Sequence, residues 1–337
     1  MKNFWLQLKK PFFVLAPMAD VTDCAFRQII AKYGKPDVFW TEFVAADGLA
    51  HPKAREKLLI DLRYTGDEHP IVAQIFGSNP DNIREAARLC RELGFDGVDI
   101  NMGCPDRSIE KQGAGACMIK NPEQAKMVIR AAIEGAGDIP VSVKTRIGYN
   151  KNEIETWLPV ILAEDIAALT VHLRTRKEMS KVAAHWDLMS GIVELRNKIN
   201  PNIVLIGNGD AVDLEDAKKK VEESGCDGVM LGRAIFGNPF LFSKTKSNFF
   251  STPLAPTDLS LEKIQFRLQI MVEHTKLFEE LLVSPPAGGK NFAIMKKHYK
   301  AYVHGWDGAK ELRTKLMDAK DATEVENIVN DFLNKLG

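Results

Sequence analysis

The chain has 337 residues, 45% hydrophobic and 27% charged, values that exclude a disordered, collagenous or coiled-coil protein. Forty-five basic residues balance forty-five acidic ones, so any surface that draws a polyanion must be local. No apolar run approaches the ~20 residues of a membrane span, and the first ten residues lack the apolar core and small-residue cleavage site of a secretory signal. A soluble, cytoplasmic protein is expected. The five cysteines, Cys24, Cys90, Cys104, Cys117 and Cys226, show no paired spacing and predict neither a disulfide framework nor a zinc site.

Eight short β-rich apolar runs follow one another along the chain. They are Phe12 to Ala16, Val38 to Thr41, Ile71 to Phe76, Gly97 to Asn101, Val141 to Arg146, Ala168 to His172, Ile203 to Gly207 and Gly228 to Leu231. Between them, segments such as Pro80 to Leu93, Pro122 to Ala136 and Leu214 to Ser224 place apolar residues three and four apart, the spacing of one buried helical face. Strands alternating with helices imply βαβ units and a parallel sheet. Eight units in this length, with no GxGxxG turn, predict an α/β fold of the (β/α)8 TIM-barrel type over residues 1–245. After about Phe242 the composition changes. Ser251 to Thr257 reads as a linker, and a small all-helical domain is expected over 258–337, with helices at Leu259 to Leu282, Asn291 to Val303 and Ala309 to Leu336 and a break at Ser284 to Gly289.

In a TIM barrel the active site lies at the C-terminal ends of the strands, and here those ends are polar. Gly207, Gly209 and Gly232 suggest backbone amides open to a phosphate, with Arg233 as a fixed cation beside them. Ser142, Lys144 and Arg146 share strand parity and face the barrel interior, where a lysine needs an electron-rich partner: a flavin ring or a structural carboxylate such as Asp99 or Glu42. Cys104 follows a strand between Gly103 and Pro105, and an ordinary thiol pKa of about 8.5 suits a proton donor at neutral pH. Cys24, Cys90 and Cys226 read as packing residues, and Cys117 as a local packing residue after a glycine-rich mobile loop. His172 ends a strand and precedes Arg174 and Arg176, which favours ligand contact. From Lys290 to Lys315, seven basic residues face only Asp307 and Glu311, with Tyr299, Tyr302 and Trp306 interleaved, a pattern that fits binding of RNA phosphates.

Six of these segments, in order from residue 14 to about 240, resemble tRNA-dihydrouridine synthases. They are Ala16-Pro-Met-Ala-Asp-Val-Thr-Asp23 with Phe26-Arg27, Asn101-Met-Gly-Cys-Pro105, Val143-Lys-Thr-Arg-Ile-Gly148, Val171-His-Leu-Arg-Thr-Arg176, Gly207-Asn-Gly-Asp210, and Val229-Met-Leu-Gly-Arg-Ala234 with Gly237-Asn-Pro239. Met295-Lys-Lys-His298 resembles part of the family's C-terminal domain. The resemblance implies an FMN-binding barrel followed by a helical tRNA-binding domain. It implies a reaction in which NADPH reduces FMN and the reduced flavin saturates the C5–C6 bond of a tRNA uridine. Cys104 is then the proton donor to C5 while flavin N5 gives hydride to C6. Pro17, Met18, Gln74, Lys144, His172, Asn208, Gly209, Gly232 and Arg233 correspond to FMN contacts. Asn101, Arg174 and Arg176 correspond to residues near the uracil or the RNA, and Lys296 and Lys297 belong to the RNA-binding tail. Leu173 departs from the family, which more often has glycine or alanine there. The competing readings are another FMN-dependent barrel acting on a small molecule, such as a dihydroorotate-type dehydrogenase or an ene-reductase, and a non-catalytic RNA-binding protein. Neither the modified uridine nor a preference for NADPH over NADH is legible in any residue.

Overall fold

The computed structural model describes residues 3–243, 260–284 and 289–336. The expected linker at 251–257, and residues 285–288 of the expected break, lie outside the described residues. The chain divides into two compact units, Met1–Ala19 with Pro36–Gly232, and Asp20–Lys35 with Arg233–Gly337.

The first unit is built on eight strands: β1 (Phe12–Leu15), β2 (Phe39–Ala45), β3 (Ile71–Phe76), β4 (Gly97–Met102), β5 (Val141–Arg146), β6 (Ala168–His172), β7 (Val204–Asn208) and β8 (Gly228–Leu231). All pairings are parallel, in the order β1-β8-β7-β6-β5-β4-β3-β2. A bridge between Val14 and Val38 closes the ring, with Leu15 N donating to Val38 O at 3.3 Å and Asp37 N to Phe13 O at 2.9 Å. The expected TIM barrel is present. Strand β2 runs to Ala45 rather than ending at Thr41, because an irregularity between Trp40 and Phe43 breaks the simple alternation of side chains that marks a strand in sequence.

Helices return the chain between strands, and their starts follow capping chemistry. Asn79 accepts from Asp81 N and Asn82 N ahead of the helix Pro80–Glu92, and Asn121 accepts from Gln124 N ahead of Pro122–Ala136. In both, proline occupies the first turn, where its missing N–H costs nothing. Asp213 caps Leu214–Ser224 in the same way through Asp216 N. Inside the barrel, the short 3-10 helix Phe4–Gln7 sets Trp5 against Phe12 and Trp40, within a core that also holds Val14, Val38, Val72, Ala168, Val204, Ile206 and Met230.

The second unit is helical. It combines Cys24–Gly34, capped by the Asp23 side chain on Phe26 N, with Leu261–Phe278, Met295–Tyr302, Ala309–Asp318 and Ala322–Leu333. A π-helical turn, Glu279–Val283, extends the second of these. The single helix expected over Ala309 to Leu336 is two. Asp321 accepts from Glu324 N at 2.8 Å while Glu324 reaches back to Lys320 N at 2.9 Å, a reciprocal cap that starts a new helix. Among the described residues no helix is long and apolar enough to cross a membrane.

Candidate active site in the barrel mouth

With period two, each strand sends alternate side chains inward. Going toward the C-terminal end, those side chains change from apolar to polar: Val72 then Gln74 on β3, Ala168 then Thr170 and His172 on β6, Val204 and Ile206 then Asn208 on β7. Beyond Gly97, the interior positions of β4 and β5 are polar, Asp99 and Asn101 beside Ser142, Lys144 and Arg146. Register places Gln74 opposite Asp99, Asp99 opposite Ser142, and Asn101 opposite Lys144.

Cys104 sits on the turn after β4. The Asn101 side-chain oxygen accepts from Gly103 N at 3.1 Å and Cys104 N at 2.9 Å, and the Cys104 carbonyl accepts from Ala116 N at 2.9 Å. Gly115 has φ +62°, and a Cβ there would stand 2.7 Å from that carbonyl, so the close approach requires glycine. The half-buried Cys104 packs against the cluster of Phe76, Ile109 and Ala114, as Phe43 and Ala45 do. Burial raises its pKa above the ordinary thiol value, against the smaller opposing effects of a hydrogen bond from the Asp106 backbone and then of the Arg146 and Lys144 charges. Cys104 is therefore a protonated thiol at neutral pH. Cys117 lies in a 3-10 helix, Gly115–Lys120.

Behind this turn, Asp99 is fully buried. It accepts from Ser142 Oγ and from Gln74 Nε2, each at 2.6 Å, while Gln74 Oε1 accepts from Asn101 Nδ2 at 3.0 Å. Burial pushes the Asp99 carboxyl up to about 6, with the Ser142 and Gln74 hydrogen bonds and the Lys144 charge opposing. Lys144 donates to Asn208 Oδ1 at 3.1 Å, and Asn208 in turn donates to Met230 O at 2.8 Å. Burial, then repulsion by Arg146, brings Lys144 down to about 8. Arg146 ties the mouth together, donating to Gly103 O at 2.7 Å and to Thr175 O and Met179 O at 3.2 Å.

The loops after β6 and β7 are locked to each other. Arg174, almost fully buried, donates to Val182 O at 2.7 Å, lies 3.1 Å from His172 Nε2 and forms an ion pair with Asp210. Its guanidinium is enclosed by protein groups instead of facing outward. Arg176 is more open. It binds Glu110 through both carboxylate oxygens and lies over the Tyr149 ring, with Lys120 over the same ring. A Cβ at Gly207 would lie 2.5 Å from the Trp186 ring, and one at Gly209 would lie 2.7 Å from Ala184 Cβ, so both glycines admit the loop after β6. Trp186 completes the contact by donating to Gly209 O at 2.7 Å. A Cβ at Gly232 would make only ordinary contacts with Ala16 and Met18. Pro17 and Met18 are half-buried after β1, and Leu173 is buried with its backbone bonded to Asn208 O and His185 N. Nothing in the sequence pattern assigns a role to Glu110 or Trp186. Asp99, expected as a carboxylate partner for Lys144, takes its hydrogen bonds from Ser142 and Gln74.

In the second unit, Arg233 is exposed at the head of the 3-10 helix Arg233–Ile235. On Met295–Tyr302, Met295, His298, Tyr299 and Tyr302 are buried while Lys297 and Lys300 are exposed and Lys296 is half-exposed. The expected interleaving of tyrosines within a basic surface is thus corrected: Tyr299 and Tyr302 belong to the core.

A model of the dihydrouridine synthase family matches residues 14–336. The chain belongs to that family. It is 43% identical to a probable tRNA-dihydrouridine synthase 2 of Bacillus subtilis strain 168, over 99% of this chain and 98% of the relative. It is 40% identical to a probable tRNA-dihydrouridine synthase of Staphylococcus aureus strain Mu50, over 98% and 96%. Among solved structures, morphinone reductase shares the fold, with a TM-score of 0.51 at 13% identity, over 75% of this chain and 90% of that one.

Proposed function

We propose that the barrel mouth binds FMN, that NADPH is the reductant, and that Cys104 gives the proton in the family's reaction, the reduction of a tRNA uridine to 5,6-dihydrouridine. The observation that carries this reading is a half-buried thiol held protonated, on the turn after β4, with the neighbouring strand β5 carrying a lysine whose amine has one acceptor, Asn208, among the described residues. That amine keeps two N–H groups for an electron-rich edge, which fits the pyrimidine side of a flavin. Pro17, Met18, Lys144, His172, Asn208, Gly209 and Gly232, at the ends of β1, β5, β6, β7 and β8, would hold the cofactor. When bound, the reduced flavin supplies hydride.

The chain's own residues do the rest. Asn101 and Arg146 hold the Cys104 turn at its amides and at the Gly103 carbonyl, so the thiol is fixed relative to β4 and β5. Cys104 delivers its proton to C5 as a general acid. A stacked uridine cannot present both C5 and C6 to such a pocket, so the base enters unstacked, at a cost of a few kcal/mol. Asn101 and Arg176 are the mouth residues nearest to a role in uracil or RNA contact, Arg174 being enclosed. Lys296, Lys297 and Lys300 offer phosphate contacts on the helical unit. A tRNA substrate implies a cytoplasmic enzyme.

The test is incubation with NADPH and unmodified tRNA, followed by nuclease digestion and mass spectrometry. The expected result is a uridine heavier by two hydrogens. NADPH oxidation with unaltered RNA would overturn the substrate and turn attention to small unsaturated compounds.

A further inference from the structure

We propose that Asp99 and Gln74 are positioning residues for Cys104, the start of a one-way hydrogen-bond relay that fixes which face of the Asn101 amide holds the Cys104 turn. The relay runs Ser142 to Asp99, Gln74 to Asp99, Asn101 to Gln74, and Gly103 and Cys104 amides to Asn101. Its bearing on catalysis rests on the reading of Cys104 as proton donor; its bearing on the turn does not.

The direction of every link follows from chemistry. An ionised carboxylate only accepts, so Asp99 forces Gln74 to present its Nε2. Gln74 Oε1 is then left toward Asn101 and can only accept, so Asn101 must turn its Nδ2 to it. That leaves Asn101 Oδ1 facing Gly103 N and Cys104 N, which can only donate. Each end of the relay is chemically fixed, and both amides between have one allowed orientation. Strand register makes this possible, because Gln74, Asp99 and Ser142 stand side by side in one interior layer and Asn101 stands one step nearer the mouth on β4. Asp99 and Gln74 are fully buried and Asn101 is 7% exposed, so no water layer stands ready to repair a reversed amide. In the same interior, Val72, Ala168 and Val204 show that apolar side chains fill the barrel elsewhere.

Reversing the polarity at one end and then restoring it tests the relay. Asp99→Asn keeps the shape but offers an NH2 group, which permits Gln74 and then Asn101 to flip and sets Asn101 Nδ2 against two N–H donors. Asp99→Asn with Gln74→Glu restores the order, since the amide introduced at position 99 then donates to a carboxylate at position 74 that again accepts from Asn101. The first readout is iodoacetamide labelling of Cys104 in flavin-free protein, mapped by peptide mass. Fully buried Cys90 serves as the reporter of unfolding. Freed from its turn, the thiol returns toward its ordinary acidity, and labelling is expected to accelerate about tenfold in Asp99→Asn and to fall back in the double variant, with Cys90 protected in both. The second readout is the split between half-reactions in the loaded enzyme. RNA reduction is expected to slow by up to about 100-fold, the scale of a displaced catalytic group, while NADPH oxidation holds. Unchanged Cys104 labelling in Asp99→Asn, or a double variant that labels like the single, overturns the relay. If Asp99→Asn exposes Cys90, Gln74→Met cuts the same link and carries the same labelling expectation in flavin-free protein, with unchanged Cys104 labelling overturning the proposal. Altered labelling with unaltered RNA reduction would keep the relay and sink Cys104 as the donor.

Discussion

In the barrel, the buried polar side chains Asp99, Gln74, Asn101 and Ser142 are joined in one hydrogen-bonded set. In the helical unit, among the described residues, His298 is fully buried with neither ring nitrogen partnered, and His274 Nε2 is likewise unpartnered. The histidines pack as rings, His274 stacked on Phe26 at 4.8 Å, His298 edge-on to Phe26 at 4.9 Å, and the two histidines 4.6 Å apart. A connected buried network sets direction and position, whereas an unconnected buried ring fills volume. Chemistry is therefore expected from the first region and acid-labile packing from the second.

The largest effect that sharpens this contrast is at Cys104. Cys104→Ala is expected to lower uridine reduction by about 10²- to 10⁴-fold, the range of a general acid, with NADPH oxidation preserved in the same preparation. Equal loss of both half-reactions would move Cys104 from chemistry to flavin binding.

The histidines come next, and the two regions respond to acid with opposite sign. Burial holds His298 down at about 3 and His274 well below the usual histidine value. Both stay neutral in the fold while the unfolded chain takes up protons below about 6.5, so stability falls as pH drops from there toward 3. At pH 5 the loss is about 2 kcal/mol for each ring. Asp99, raised to about 6, works the other way: its contribution is complete below the unfolded value near 3.8 and is lost as pH rises through 6. His298→Phe keeps a ring beside Phe26 and Phe236 and is expected to halve the acid loss in thermal melts between pH 7.5 and 5. An acid slope equal to the parent's would show that His298 charges freely in the fold.

A smaller effect separates Lys144 from its scaffold. Lys144→Met is expected to weaken FMN binding about 10- to 100-fold, the value of one charge-assisted hydrogen bond, read by flavin fluorescence titration. Since the ligand-free amine titrates at about 8, parent affinity should decline as pH rises through that value. The methionine variant should show no such step, and a step that survives would assign the titration to another group.

What the sequence makes legible divides along the same line. Strand parity alone sends Ser142, Lys144 and Arg146 inward, and β3, β5, β6 and β8 occupy their expected spans, because both depend on local alternation. Partnerships between distant segments carry no local signal. Nothing in the neighbourhood of Glu110 points to Arg176, or of Gly207 to Trp186, and only three-dimensional closure pairs them. The membership of Asp20–Lys35 in the helical unit is equally non-local. It also means that removing residues 258–337 would strip partners from the helix Cys24–Gly34, where Lys32 and Tyr33 bond Glu273, so point substitutions are the cleaner probe of RNA contact.

The smallest expected effect concerns that RNA surface. On Met295–Tyr302 the buried set recurs at three- and four-residue spacing, which turns Lys296, Lys297 and Lys300 away from the core. Lys297 Nζ lies 3.8 Å from Asp20 Oδ2, so a glutamate there would add repulsion inside the unit and confuse binding with folding. Glutamine avoids this. Lys296→Gln with Lys297→Gln is expected to leave the melting temperature unchanged and to weaken tRNA binding for every uridine context alike. The slope of log affinity against log salt should flatten by about 2, one counterion for each phosphate that the protein no longer neutralises. A slope equal to the parent's would place the RNA on another face and leave this helix with packing alone, on both of its sides.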